Sequence, residues 1–181
     1  MPALPSSSPF PQALAACADL WRGDELGAAD GPARPTGHAA LDAQLPGGGW
    51  PVGALTELLQ PAPDAPLWPL LLPALAAAVA EREAPVVLVG PPHEPFGPAL
   101  AGAGLPVQAL LWVRAGTAAE RLWACEQALR CAGVAAVLAW LPQARAAELR
   151  RLQLAAARHA ALLFVLRPEA DREGASPARL R

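Results

Sequence analysis

The sequence contains no lysine: all 14 of its basic residues are arginine. This excludes chemistry that needs an ε-amine, such as a phosphate-loop lysine or a Schiff base. Tyrosine is also absent, and Met1 is the single methionine. Cysteine is scarce. Cys17, Cys125 and Cys131 are an odd number and form no C-x-x-C pair. Cys125 and Cys131 fall on one expected helix, about 9 Å apart along its axis at 1.5 Å per residue. That is too far for a disulfide, and a reducing compartment fits. His38, His93 and His159 show no ligand spacing, so no metal site is expected. Charged residues are 17% of the chain, against about 25% in ordinary domains. With a net charge of −2, the chain as a whole is not an electrostatic nucleic-acid binder. No positive region followed by an apolar stretch opens the chain. The longest apolar run, Leu67–Ala80, spans 14 residues and contains Pro69 and Pro73. A membrane span needs about 20. The run therefore reads as a buried helix of a soluble, cytoplasmic protein with no membrane contact.

Apolar residues, by contrast, make up 54% of the 181 positions, enough to build the core of one domain. The 22 prolines are about 12% of the chain, against a usual 5% or so. A GC-rich genome replaces lysine with arginine and fills with alanine, so the missing lysine carries weight only where a fold requires one. The charge is uneven: residues 1–113 sum to −7 and residues 114–181 to +5. The C-terminal excess is either a set of solvated helix faces or a basic face for an acidic or nucleic-acid partner.

Residues 1–11 are Pro/Ser-rich and read as a disordered lead. Residues 12–35 read as a short helix and linker, with Leu14, Cys17 and Trp21 on one face and a Gly/Pro/Asp stretch behind them. The helix packs on its own domain or on another subunit. From residue 36 to 181 the pattern is that of one α/β domain. TGHAALDAQL predicts a short helix over 36–45 with Thr36 as N-cap and Ala40, Leu41 and Leu45 inside. PGGGWPVG is a dense turn. Strands are predicted at 54–59, 85–90, 109–113, 134–141 and 160–166. Between them lie helices at 67–82, where Pro73 kinks the helix or restricts its start, and at 95–103. A third runs from a Thr117-x-x-Glu120 capping box to Gly133, and a fourth spans 143–159. The third carries a stripe of Leu122, Cys125, Leu129 and Ala132, and the fourth turns Leu149, Leu152 and Ala156 inward. Apolar strands alternating with helices predict a mostly parallel sheet covered on both faces.

Ligands of such sheets bind at the carboxyl ends of the strands. After 54–59 comes QPAPDAPLWPL, without the glycines, lysine and Ser/Thr of a phosphate loop. After 85–90 comes PPHEP, where His93-Glu94 reads as an exposed loop dipeptide rather than an acid/base pair. After 134–141 comes Pro-Gln, with no carboxylate for a metal. No serine sits in a nucleophile elbow. These absences point away from an enzyme and from any bound cofactor. Trp112, Trp123 and Trp140 are expected in the core. Trp50 in the glycine turn and Trp21 near the linker are candidate partner-binding residues, because partly exposed tryptophan favours binding hot spots.

The segment PTGHAALDAQLPGGGWPVGALTELL (35–59) resembles the start of the RecA core, where a T-G-x-x-x-L-D block and a glycine-rich turn precede the phosphate-loop strand. With WRGDEL (21–26) before this segment and VGPPHEPFGPAL, LWACEQALRCAGVAAVLAWL and LRRLQLAA after it, the order of blocks resembles the ImuA family, which is RecA-like and related to SulA. The resemblance runs from about Trp21 to Arg181. It implies a RecA-like three-layer α/β/α core with a degenerate phosphate loop, preceded by a short N-terminal helix. At the family's phosphate-loop position stand Gln60–Pro66, at its catalytic-Glu position Pro91-Pro92, and at its metal-binding strand Leu138–Leu141. ATPase activity is therefore not implied. What is implied is an adaptor in SOS-induced translesion synthesis, nucleoid-associated after DNA damage. Its partners would be an ImuB-like inactive Y-family polymerase relative, a DnaE-type error-prone polymerase and RecA. The alternative is a SulA-type inhibitor of the tubulin-like division protein. By analogy with the docking helix of RecA, Leu14, Cys17 and Trp21 are candidate partner contacts. Arg150, Arg151, Arg158, Arg167, Arg179 and Arg181 lie where RecA has its DNA-facing loops and are candidate contacts to DNA or a partner. A RecA-like core continues past strand 160–166, whereas this sequence stops at SPARLR, which reads as a short natural version or a truncation.

Overall fold

The computed structural model describes residues 31–181. The lead, the expected N-terminal helix and most of its linker lie outside that range. The predicted strands and helices appear in order. The central sheet contains β3 (Leu55–Gln60), β4 (Val86–Val89), β5 (Leu110–Val113), β6 (Ala136–Trp140) and β7 (Leu162–Pro168), all parallel, in the order β3-β7-β6-β4-β5. Four helices connect them: α2 (Trp68–Arg82), α3 (Gly97–Gly102), α4 (Ala118–Arg130) and α5 (Ala146–His159).

Period-two alternation along the strands divides the core into two layers. Val86, Leu88, Ala136, Leu138, Leu162 and Phe164 face one way, where Leu71, Leu75 and Ala78 of α2 and Leu100 of α3 cover them. Val87, Val89, Val137, Ala139, Leu163 and Val165 face the other, under Cys125 and Leu129 of α4 and Leu149, Leu152 and Ala156 of α5. Strands buried on both faces have no polar side to show, which is why the sequence presents them as continuous apolar runs.

The capping box is built as predicted. The Thr117 hydroxyl accepts from the Glu120 N–H, and the Glu120 carboxylate accepts from Thr117 N–H and Gly116 N–H. These donors, the Thr117 N–H foremost, hold the Glu120 carboxyl below the ordinary carboxylate range. The charged cap is thus present above the unfolded carboxylate pKa and is lost as pH falls through the depressed one. The helix ends at Arg130, earlier than expected, because Cys131 turns to extended backbone. Ala132 is consequently exposed. Trp123, expected in the core, is 66% exposed, because it sits across the helix from Cys125 and Leu129.

The block before β3 also departs from expectation. It begins with β1 (Ala33–Arg34), which pairs antiparallel with β2 (Trp50–Pro51) in a two-stranded ribbon that the glycine turn concealed. The helix of the TGHAALD segment is α1 (Ala39–Asp42), and its N-cap position is His38, not Thr36. Thr36 is buried two residues earlier. Its hydroxyl accepts from His38 N–H at 3.0 Å, and its own N–H donates to Asp42 Oδ1 at 2.8 Å. Ala40 is exposed, while Leu41 and Leu45 pack on the α2 layer.

This clip serves the proline inside α2. Pro73 has no N–H to give the Pro69 carbonyl one turn earlier. The His38 ring supplies it instead, Nε2 donating to Pro69 O at 3.1 Å. Gly37, at φ +87°, lies so close that a Cβ there would stand 2.3 Å from Pro73 Cβ. Gly37→Ala should therefore lower stability by about 2 kcal/mol through strain and overlap together, read from a urea transition. Cys125 is fully buried, and burial pushes its thiol up to about 12. Cys131 is exposed. Iodoacetamide should modify Cys131 in the folded protein and reach Cys125 only after unfolding, which peptide mass mapping checks.

Candidate functional site

In a sheet of this kind a crevice opens where neighbouring strands send their connections in opposite directions. Here β4 continues outward to β5, while β6 continues the other way to β7, and β4 and β6 are neighbours. A pocket of about 250 Å³ lies at the carboxyl ends of β3, β4, β6 and β7. Gln60 and Pro61–Pro63 border it from β3, Gly90 and Pro92 from β4, Trp140 and Pro142 from β6, and Leu166–Pro168 from β7.

Arg121 reaches into this pocket from the second turn of α4. Its Nε donates to Ala115 O at 3.1 Å and its Nη1 to Trp140 O at 3.4 Å. Gly90, at φ +60°, makes room for it: a Cβ there would stand 2.7 Å from Arg121 Nε. Among the described residues no carboxylate lines the pocket. Two buried donors on pocket-lining residues, Trp140 Nε1 and Arg167 Nε, have no hydrogen-bond partner among the described residues. The loop after β3 is closed on itself. Gln60 Nε2 donates to Ala65 O at 3.1 Å, and Ala65 N–H donates to Ala62 O at 3.1 Å. With prolines at 61, 63 and 66, only Ala62 and Asp64 retain an unengaged backbone N–H between 61 and 66. His93 and Glu94 are exposed on the rim of a smaller adjoining cleft.

Beside the pocket lies a charge cluster that pattern reading missed. Glu57, in the middle of β3, is 1% exposed. Arg167 Nη1 on β7 donates to its Oε1 at 2.5 Å, and Arg181 Nε lies 2.8 Å from its Oε2 as a charge contact without hydrogen-bond alignment. Arg167 also stands 2.9 Å from Asp171. Arg181 completes its own partners with the carbonyl oxygens of Gly174, at 2.9 Å, and Asp171. The signal available in the sequence was a glutamate inside an otherwise apolar strand, ALTELL. Such a carboxylate needs a cation at hand.

The six candidate arginines are thus separated into two groups. Arg150, Arg151 and Arg158 stand exposed on α5, where Arg151 pairs with Glu126 of α4, and the exposed Leu154 lies on the same helix. Arg167 and Arg181 are engaged with Glu57, and the Arg179 guanidinium lies against Gly31. Arg167 is corrected in one respect: its side chain is only 9% exposed, because the buried carboxylate draws it inward. Trp50 is corrected likewise. It is 3% exposed and packs edge-on against Phe164, with ring centroids 5.3 Å apart, because β1 and β2 fold the glycine turn down on the sheet. Leu14, Cys17 and Trp21 lie outside the described residues.

No family model matches the chain. A cell division inhibitor SulA from Edwardsiella piscicida is 35% identical over 104 residues, 58% of this chain. Protein ImuA of Caulobacter vibrioides is 34% identical over 155 residues, 81% of this chain. The chain spans 62% of the length of each of these relatives. The crystal structure of SulA from Pseudomonas aeruginosa matches with a TM-score of 0.52 and 28% identity, covering 63% of this chain and 97% of that one. Sheet, helices and match together define an α/β protein of SulA-like fold. The chain belongs to an ImuA/SulA-related family.

The Glu57 cluster yields a stability test. Glu57→Gln leaves the buried Arg167 with Asp171 as its remaining acidic partner and should cost about 2 kcal/mol. Arg181→Ala removes a partly exposed partner and should cost about 1 kcal/mol, the difference being read by chemical denaturation.

Proposed function

We propose that this protein is a non-catalytic adaptor in the response to DNA damage, built on a RecA-like core whose phosphate loop has lost its function. The observation that carries the reading is the make-up of the strand ends. Phosphate binding at such a sheet needs a run of backbone N–H groups at a helix start. The loop after β3 replaces them with prolines and spends Ala65 N–H internally. Metal-assisted hydrolysis needs a carboxylate, and the pocket offers none. The order β3-β7-β6-β4-β5 and the T-G-x-x-x-L-D block before β3 support the RecA-like part of the reading.

The ImuA match extends over more of this chain than the SulA match, which favours the role in damage-induced translesion synthesis. In that role the protein acts in the cytoplasm, at the nucleoid after damage, through contacts with an ImuB-like polymerase relative, a DnaE-type polymerase and RecA. Among the described residues no helix is long and apolar enough to cross a membrane. The exposed Arg150, Arg151 and Arg158 with Leu154 on α5, and Trp123 on α4, form the surface best suited to such contacts. A second reading, inhibition of the division protein, has its own support in the SulA structure, 97% of which this chain matches.

The purified protein should show no ATP turnover above a blank with or without Mg²⁺ and DNA. Tagged protein should co-purify with an ImuB-like polymerase relative from DNA-damaged cells, and Arg150→Glu combined with Arg158→Glu should reduce that recovery at unchanged thermal stability. ATP hydrolysis would sink the non-catalytic reading. Failure to recover the polymerase relative, together with filamentation on overexpression, would transfer the assignment to the SulA-type role.

A further inference from the structure

We propose that the strand-end pocket is a binding site for a small apolar group carrying a carboxylate. The inference rests on the reading that this pocket no longer takes a nucleotide. Three observations select the ligand. The walls are largely apolar, with five proline rings, Ala62, Leu166 and the Trp140 indole, and their volume of about 250 Å³ suits one side-chain-sized group. Every charged group on the wall is cationic: Arg121, and Arg167, whose charge is already matched by Glu57 and Asp171 behind the wall. On the residues that line it, the buried polar atoms left over are donors: Trp140 Nε1 on a residue 6% exposed, and Arg167 Nε.

Each competing ligand class meets a mismatch in the pocket or in the loop that borders it. A phosphate or nucleotide would meet a loop with two unengaged N–H groups and no lysine. A cation would meet two guanidinium groups and no acid. A hydrocarbon would fill the walls and leave buried donors unpaired, which costs free energy for each. An acceptor attached to an apolar body satisfies all three. Arg121 spends Nε and Nη1 on carbonyl oxygens and its Nη2 has no hydrogen-bond partner among the described residues, so it is the group to meet the carboxylate. Charge-assisted bonds from a guanidinium are the strong ones. The same chemistry is presented by a free small acid and by an apolar C-terminal residue of a partner chain.

The test uses the full chain labelled with ¹⁵N. The Trp140 indole N–H signal is identified by its loss in Trp140→Phe. It is then followed while N-acetyl-phenylalanine, its amide, a short peptide ending in phenylalanine with a free carboxylate, or Mg-ATP is added. The free acid should shift the signal, and the amide should bind at least about tenfold more weakly. Arg121→Met should weaken the acid by about tenfold, and Ala62→Trp should abolish the shift without altering the rest of the spectrum. Tighter binding of the peptide than of the acid assigns the site to a protein C-terminus. Equal binding assigns it to a free acid. A Trp140 signal unmoved by acid and peptide, or an amide that binds as well as the acid, overturns the proposal and leaves the adaptor reading standing. A shift with Mg-ATP alone overturns both.

Discussion

A single buried carboxylate constrains how the sheet is closed. Glu57 occupies the middle of β3, on the same strand face as Leu55, where an unpaired charge would be expelled. Its main partner stands on the neighbouring strand. Glu57 lies opposite Val165 in the parallel register, and Arg167 follows two residues later on the same face. A slip of one residue would turn Arg167 to the other face and leave both charges unpaired. The pair therefore adds a charge constraint to the register that the buried residues of β3 already favour. Burying an ion pair is weak evidence for stability, but each partner is costly without the other.

The same carboxylate organises the C-terminal segment. Arg181 closes on Glu57, Leu180 O accepts from Glu57 N–H at 2.9 Å, and Arg179 N–H donates to Leu55 O at 3.0 Å. Gln153 of α5 accepts from Leu55 N–H at 2.6 Å. These contacts satisfy donors and acceptors along the β3 edge that would otherwise recruit another chain. The strand that enters the pocket at Gln60 is thereby held firmly on both sides. A pocket assembled from four strand ends can keep its shape only if those ends do not move, and proline-rich loops stiffen the rim.

The TGH block performs a similar service for α2. A proline inside a helix leaves a carbonyl without a donor, and a histidine and a glycine from the preceding segment provide the donor and the space. The resemblance of this block to the start of a RecA-like core is therefore matched by a packing task that has nothing to do with nucleotides.

The order of strands and helices, the two-faced burial of the sheet and the capping box at Thr117 were legible in the sequence. Each depends on neighbours a few residues apart. What only the tertiary structure decided involves partners far along the chain. Glu57 found Arg167 and Arg181, Trp50 was folded inward against Phe164, and Arg121 was brought across Gly90 to meet Trp140. Trp123 turned outward because only the packed helix shows which side faces the core. The basic C-terminal third, uniform as a charge count, was divided into an exposed face on α5 and an internal clamp on β3. Charge pairing across a sheet depends on register and strand order, and neither can be read from a one-dimensional pattern.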